Sequence, residues 1–376
     1  PEGGIICRDE NGRPTGVLLE NAVALAAKYA LDFDMPTAKE LISDYIDKAV
    51  SLGITSVSDM TPYLSLDLAY PDVYFDMIKN GELKIRVNAA RNLFEDIDTF
   101  NAIRSRAEAE GEGMYRIPFM KQFIDGTPAN FTGMLLEDYS DNPGERGKAT
   151  IDLGKMAAAI ETATENNVSV RLHSCGDRSC REALNAYENA LKKFPETESR
   201  HMVEHLEVVD PADIPRFGQL GVICSIQPEH LAAGTMKWTE NCYPEKLGPV
   251  REKFTWPFKK LRDGGAVLAG GTDCPVVDGN LFWGMYVGNT RTYYDGMPEG
   301  GWNPQEDLPM EDMIDMFTSG AAYAEHRENE LGTLEAGRLA DITVSDRNLL
   351  KLAGDTAIRD TQVLLTMVDG RIVYEK

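Results

Sequence analysis

Residues 167–207 read NVSVRLHSCGDRSCREALNAYENALKKFPETESRHMVEHLE, and this stretch decides the fold. Its apolar pieces, residues 168–173 and 202–205, have the length and composition of buried strands. Between them, apolar residues recur on one face of a helical pattern over residues 178–193. A strand, a helix and a strand within this length predict a βαβ unit, whose two strands run parallel.

Each of these strands delivers a histidine at its carboxyl end, His173 in the first and His205 in the second. Parallel strands place their carboxyl ends on one side of a sheet, so we expect both imidazoles in the same mouth. Imidazole is a common metal ligand, and two in equivalent positions predict a metal site. The alternative is that each histidine is a hydrogen-bonded structural residue. Only five histidines occur in the chain, and we do not expect His201 or His326 in the mouth.

Composition restricts the class of protein. The chain has 376 residues, 43% of them hydrophobic, and a formal net charge of -23 at pH 7. That charge opposes binding to nucleic acid or to an anionic membrane, and we expect neither partner. No apolar run is long enough to span a membrane, and the six cysteines show no paired spacing. These features predict a cytoplasmic enzyme with reduced thiols. Cys175 and Cys274 lie beside candidate site residues and either line the site or are small buried residues.

Short apolar runs alternate with helical patterns along most of the chain. Seven candidate strands occur, at residues 53–58, 83–88, 117–124, 168–173, 202–205, 222–226 and 266–269. This alternation predicts a parallel α/β fold. We assign residues 1–328 to a (β/α)8 barrel of the TIM type, in which the first of eight strands is missing.

Two segments depart from the alternation. Residues 1–19 carry the turn-forming pair Asn11-Gly12 between apolar pieces, which predicts a β-hairpin insertion. Residues 329–376 are β-rich and carry a second such pair, Asp369-Gly370. We assign them to the C-terminal part of a small β-sandwich domain.

Three further side chains could take part in chemistry. Lys121 lies among apolar residues in a predicted strand, where an unpaired ammonium group is costly to bury. Carboxylation of its amine would make it an oxygen ligand that can bridge two metal ions; a salt bridge to Asp125 is the alternative. Asp273 follows the last strand, where its carboxylate could bind a metal and take a proton from water, or else cap the next helix. His230 lies at the same rim.

These residues occur in the order seen in the amidohydrolase superfamily, which the chain resembles over almost its whole length. The closest resemblance is to the amidohydrolase 3 (YtcJ-like) branch, which residues 4–16 and 331–344 also resemble. The matching segments are Met120-Lys-Gln-Phe-Ile-Asp-Gly126, Leu172-His-Ser-Cys-Gly-Asp177, Val203-Glu-His205, Gln227-Pro-Glu-His230 and Gly271-Thr-Asp-Cys-Pro275.

The resemblance implies that His173 and His205 bind one metal ion, that carboxylated Lys121 is a bridging ligand, and that Asp273 is both a ligand and the general base. It implies zinc, as one or two divalent ions, and a supporting or substrate-contacting role for His230. One feature departs from the family. Members of the family have a His-x-His pair that ends the first strand and supplies two metal ligands. This pair occurs nowhere in the present chain. We therefore expect the native protein to extend upstream with a strand that carries the pair.

The sequence thus predicts a metal-dependent hydrolase that cleaves a non-peptide C–N bond of the amide type in a small-molecule substrate. The alternatives are a deaminase or another hydrolase on the same scaffold, and a catalytically inactive remnant that acts as a binding protein. Trp283, Tyr286 and Arg291, which follow the last strand, are predicted to contact the substrate. Self-association into a homo-oligomer stays open.

Overall fold

The computed structural model describes residues 3–60, 71–232 and 237–376. Seven parallel strands, β3 to β9, form one sheet in chain order, and each corresponds to a predicted strand with bounds shifted by a few residues. The strands are β1 (Gly4–Arg8), β2 (Pro14–Glu20), β3 (Ser56–Asp59), β4 (Arg86–Asn92), β5 (Tyr115–Phe123), β6 (Ser169–Ser174), β7 (Met202–His205), β8 (Ile223–Ile226), β9 (Leu268–Gly270), β10 (Ile342–Ser345), β11 (Val363–Val368) and β12 (Arg371–Glu375).

Helices connect the strands of the parallel sheet. Several begin at a side-chain cap, as where Asp34 accepts a hydrogen bond from the Thr37 backbone N–H. No helix in the described ranges is long and apolar enough to cross a membrane. The helices are α1 (Ala24–Ala30), α2 (Met35–Ser51), α3 (Pro71–Lys79), α4 (Ile97–Glu110), α5 (Leu153–Glu165), α6 (Asp177–Lys193), α7 (Ile214–Leu220), α8 (Tyr243–Arg251), α9 (Phe258–Asp263), α10 (Leu281–Thr290), α11 (Met310–Asp315) and α12 (Ala321–Ala324).

Side chains of β6 alternate between the helical layer and the interior of the curved sheet. Val170 and Leu172 belong to the apolar core that the helices cover, whereas Arg171 and His173 line the interior cavity. Tyr187 of α6 donates its hydroxyl to the Val170 carbonyl and to the neighbouring strand β7, which fixes the helix against both strands. This alternation directs polar side chains of several strands into one cavity.

The parallel sheet does not close on itself. Its first and last strands, β3 and β9, are not paired with each other in the described part of the chain, so the predicted gap is confirmed. A cavity of about 2010 Å³ fills the interior, and its lining includes Ile54 and Val57 at one edge and Ala269 and Phe317 near the other. Unpaired strand edges favour pairing with another segment. That an upstream strand fills the gap stays a prediction.

The two smaller sheets correspond to the two β segments that the sequence predicts outside the parallel sheet. β1 and β2 pair antiparallel as the predicted hairpin, of which residues 1–2 lie outside the described ranges. β10, β11 and β12 form a three-stranded antiparallel sheet, with a turn at Asp369 and Gly370, whose φ angles are 51° and 74°. The boundary between the barrel and the β domain, placed at residue 328, stays a prediction.

A buried ion pair fastens the C-terminal sheet to the barrel. Arg86 at the start of β4 donates from Nε to Asp341 Oδ2 at 2.9 Å and from Nη2 to Oδ1 at 3.0 Å. Only 4% and 6% of the two side chains are exposed. A second contact nearby is the hydrogen bond from Thr343 Oγ1 to the Gly53 carbonyl. Removal of one partner from such a pair leaves a buried charge uncompensated.

We predict that Arg86→Leu lowers the free energy of unfolding by about 3–5 kcal/mol, because it leaves the Asp341 carboxylate buried and unpaired. Urea unfolding followed by circular dichroism would measure the change. The matched control is Arg104→Leu in the exposed pair Arg104–Glu108, which should cost at most about 1 kcal/mol. Equal and small losses in the two variants would contradict the role assigned to the buried pair.

Candidate metal centre

Three histidines and an aspartate converge at the carboxyl ends of the parallel strands, as predicted for His173, His205 and Asp273. The ring centroids of His173 and His205 lie 4.4 Å apart, and those of His205 and His230 lie 5.5 Å apart. His230 Nε2 lies 3.6 Å from Asp273 Oδ2. One ligand atom each from His205, His230 and Asp273 lie within 4.8 Å of one another, which is close enough to hold a single cation. We call these four residues the His–Asp cluster.

Backbone geometry at the strand ends aims these side chains. His205 ends β7 with φ 77°, Leu206 follows with φ 54°, and Asp273 has φ 59°. Positive φ is uncommon for residues with a Cβ and tends to persist at functional sites, where the surrounding structure holds it in place. The bend after β7 therefore turns His205 out of the regular strand alternation and towards the mouth.

The ring nitrogens of the cluster suit a bound cation. Three buried nitrogens, His173 Nδ1, His205 Nδ1 and His230 Nε2, form no hydrogen bond with the described residues. Carboxylate oxygens lie near two of them: Asp125 Oδ1 is 3.5 Å from His173 Nδ1, and Asp273 Oδ2 is 3.6 Å from His230 Nε2. Burial and the neighbouring His173 hold the pKa of His205 well below its ordinary value, and burial lowers the pKa of His230 to about 4. Both rings are therefore neutral at pH 7. Neutral imidazoles with unused lone pairs are the form that binds a divalent metal.

Lys121 projects from β5 into the same cavity, as predicted, and is 3% exposed. Burial lowers the pKa of its amine, although the nearby carboxylates of Glu204 and Asp273 oppose this shift. The alternative of a salt bridge to Asp125 is not what the structure has. Asp125 instead accepts hydrogen bonds from the backbone N–H groups of residues 134, 175 and 176 and from Ser179 Oγ.

Asp273 lines the cavity and does not cap the helix that follows. The cap of α10 is Asn280, whose side chain accepts from the Phe282 N–H. The Asp273 side chain is 39% exposed and lies on the cavity wall, so water can reach it there. Burial of its remaining surface raises its pKa, and Lys121 and His173 partly offset the rise. The location suits a group that exchanges a proton with water.

Trp283, Tyr286 and Arg291, predicted to contact the substrate, are absent from the cavity lining. From α10, it is Phe282 and Met285 that reach the cavity, because residues three positions apart share a helix face. Arg291 is fully buried and donates to the carbonyls of Thr255, Trp256 and Trp302. It holds the loops around the site and does not line the cavity, so its predicted contact with a substrate stays a prediction.

Two buried glutamates in the lining were not singled out from the sequence. Glu204, inside β7, accepts a hydrogen bond from Ser225 Oγ, and its Oε1 has no partner among the described residues. Glu207 accepts a hydrogen bond from Tyr243 at 2.5 Å, and burial raises its pKa to about 7. The one sequence signal for either residue was its proximity to His205.

The chain belongs to the amidohydrolase family, whose model matches residues 1–374. This confirms the resemblance on which the sequence analysis relied and places the chain among hydrolases. Because the family model matches nearly the whole chain, the assignment does not depend on the histidine cluster alone.

Curated relatives match the whole chain, and a solved structure shares its fold. The chain is 28% identical to Protein LONG AFTER FAR-RED 3 of Arabidopsis thaliana, 29% to Putative amidohydrolase YtcJ of Bacillus subtilis and 25% to N-substituted formamide deformylase of Arthrobacter pascens. Each match covers 100% of this chain, which spans 64%, 69% and 68% of those proteins. An uncharacterized metal-dependent hydrolase from Pyrococcus horikoshii shares the fold, with a TM-score of 0.75 and 23% identity over 92% of this chain and 67% of that one.

We predict that His205→Asn and His230→Asn each lower the zinc bound per chain after dialysis against a zinc buffer, because each variant removes one ring nitrogen from the cluster. Elemental analysis would measure the stoichiometry. The matched control is His326→Asn, since His326 contacts Ser169 Oγ at the opposite end of β6. Wild-type zinc content in the two cluster variants would contradict the assignment.

Proposed function

We propose that this protein is a metal-dependent amidohydrolase that cleaves a non-peptide C–N bond of the amide type in a small-molecule substrate. The observation that carries the proposal is the His–Asp cluster, with unpaired imidazole nitrogens beside an accessible carboxylate. The printed names of two relatives support it, since one is a putative amidohydrolase and one acts on N-substituted formamides. N-substituted formamides are therefore among the first substrates to test.

The proposal assigns a role to each residue of the site. His173, His205, Asp273 and carboxylated Lys121 would hold one or two divalent ions, which we take to be zinc. When bound there, such an ion polarises a substrate carbonyl and makes water more acidic. The unpaired Nε2 of His230 would bind the same ion or a substrate group.

Proton transfer falls to Asp273. Its carboxylate would take a proton from the attacking water and return it to the amine that leaves. Lys121 must lose its own proton before its amine can be carboxylated, and the lowered pKa that burial gives the amine favours this neutral form. Its carbamate would then carry the negative charge that ligands of a divalent ion supply.

The reaction would take place in the cytoplasm. All six cysteines are unpaired, including the buried Cys175 beside His173, which suits a reducing compartment.

A second candidate is a chain that binds small molecules without turnover. The open edge between β3 and β9 favours it, because no strand of the described ranges lies there to supply further metal ligands to the mouth. Metal content separates the two candidates, since a binding protein could fold with no metal.

The experiment is a screen of N-acyl amines, hydantoins and N-formyl compounds with zinc-loaded protein of measured metal content, followed by detection of the released amine. We expect turnover that stops after chelation and returns with zinc. Absence of turnover at full zinc occupancy, or turnover that chelation leaves unchanged, would contradict the proposal.

The variant that sharpens this test is Lys121→Ala, which should lose bound metal and activity together, because it removes the bridging ligand. Lys246→Ala is the matched control: Lys246 is also a buried lysine, but it contacts Asp141 and the Phe131 ring and does not line the cavity. Unchanged metal content and turnover in Lys121→Ala would remove Lys121 from the site.

A further inference from the structure

A carboxyl–phenol pair forms part of the cavity wall on the His173 side, and the proposed hydrolysis does not use it. Tyr243 donates its hydroxyl to Glu207 Oε2 at 2.5 Å, and both residues line the cavity. Glu207 also interacts with the thiol of Cys175, whose Sγ lies 3.6 Å from His173 Nε2. The pair therefore lies within a few atoms of the His–Asp cluster.

Glu207 is a buried carboxyl group without a lysine or arginine partner in the described part of the chain. It is 5% exposed, and no lysine or arginine in the described ranges forms an ion pair with it. The lysine and arginine side chains that line the cavity are engaged elsewhere: Arg171 pairs with Glu325, Arg327 pairs with Glu330, and Lys121 lies near Glu204 and Asp273. A buried carboxylate whose partners are a phenol and a thiol is costly in its charged form unless a cation can join it.

The wall around Glu207 is rigid. The backbone N–H of Trp256 donates to the Glu207 carbonyl at 2.9 Å, and the Tyr243 ring packs on Trp256 with centroids 4.7 Å apart. Arg291 holds the Trp256 carbonyl from the far side. A carboxylate fixed in this way needs little reorganisation to bind a ligand, which favours specific recognition.

The side-chain amide of Asn241 is a hydrogen-bond donor next to the pair of Glu207 and Tyr243. Asn241 lines the cavity, and its Oδ1 accepts from the Tyr243 backbone N–H at 3.0 Å. Its Nδ2 is buried and has no hydrogen-bond partner among the described residues. The wall thus offers one anionic acceptor and one neutral donor to a ligand.

We propose that Glu207, held by Tyr243, determines substrate specificity by binding a positively charged amino group, with Asn241 donating to an adjacent oxygen. This inference rests on the proposed amidohydrolase function. The substrate class is an amide or formamide that carries a protonated amine on a short arm. Anionic substrates are disfavoured, because Asp125, Glu204 and Asp273 line the same cavity.

The test compares three formamides of similar size: N-(2-aminoethyl)formamide, the neutral N-propylformamide and the anionic N-formylglycine. Zinc-loaded wild type should have the lowest KM for the cationic compound. Glu207→Gln keeps the shape of the side chain and removes its charge, so KM for the cationic compound should rise about tenfold or more. KM for the neutral compound should change little, and kcat for both should be nearly retained.

Tyr243→Phe is the second variant and should shift the same preference in the same direction, but less, because the carboxylate keeps its charge and loses only its anchor. The matched control is Tyr294→Phe, which removes a phenol from another buried glutamate, Glu229; neither Glu229 nor Tyr294 lines the cavity. This control should keep the wild-type preference. Zinc content and thermal unfolding of each variant would verify its fold, and Tyr243→Phe carries the test if Glu207→Gln does not fold.

The outcomes separate this inference from the proposed function. Turnover of all three compounds with equal KM, unchanged in Glu207→Gln, would overturn the amino-group site and leave the hydrolase standing. If wild type turns over none of them, the hydrolase proposal fails for this class, and calorimetric binding of the same compounds becomes the readout. A binding preference for the cationic compound that Glu207→Gln abolishes would support the site, and equal binding of the three would overturn it.

Discussion

Three imidazoles buried at one mouth of the parallel sheet carry ring nitrogens that no described protein group satisfies, and the rest of the site depends on this. A buried polar atom without a partner costs about 1–3 kcal/mol. Three such atoms beside a carboxylate are costly as a purely structural arrangement. A divalent cation would satisfy the nitrogens of His205 and His230 together and would also balance Asp273.

The charges of the cavity are separated by depth. On the floor, Arg171 and Glu325 neutralise each other, and Glu325 also accepts a hydrogen bond from Ser58. At the mouth, carboxylates outnumber cations and Lys121 is held in an environment that disfavours its ammonium form. The side chains at the mouth therefore carry an excess of negative charge. A metal ion and an amino group of a substrate are the two natural ways to balance it.

Much of this arrangement could be predicted from the sequence, because parallel strands impose a strict geometry. A histidine at the end of each of two consecutive strands must reach the same mouth, and both His173 and His205 do so. His201 directly precedes β7, away from the mouth as expected, and contacts Thr164 and the Val170 backbone. The gap between the first and last strands also followed from a count of apolar runs.

Other features of the site depend on contacts between distant segments of the chain, and the periodicity of apolar residues does not predict such contacts. The direction in which Trp283, Tyr286 and Arg291 point depends on how α10 is rotated about its axis. Apolar residues occur on all sides of this helix, so the sequence does not predict which face lines the cavity. Glu207 and Tyr243 meet only because the segment that holds Tyr243 folds back over the end of β7. The positive φ angles that turn His205 and Asp273 arise from the packing of the whole mouth.

The most direct test of the central claim is anomalous diffraction at the zinc absorption edge from crystals of the zinc-loaded protein. The account predicts a peak at the His–Asp cluster, with imidazole nitrogens about 2.0–2.1 Å from it. An anomalous peak that lies only at cysteines or surface carboxylates, with none among His173, His205, His230 and Asp273, would contradict it.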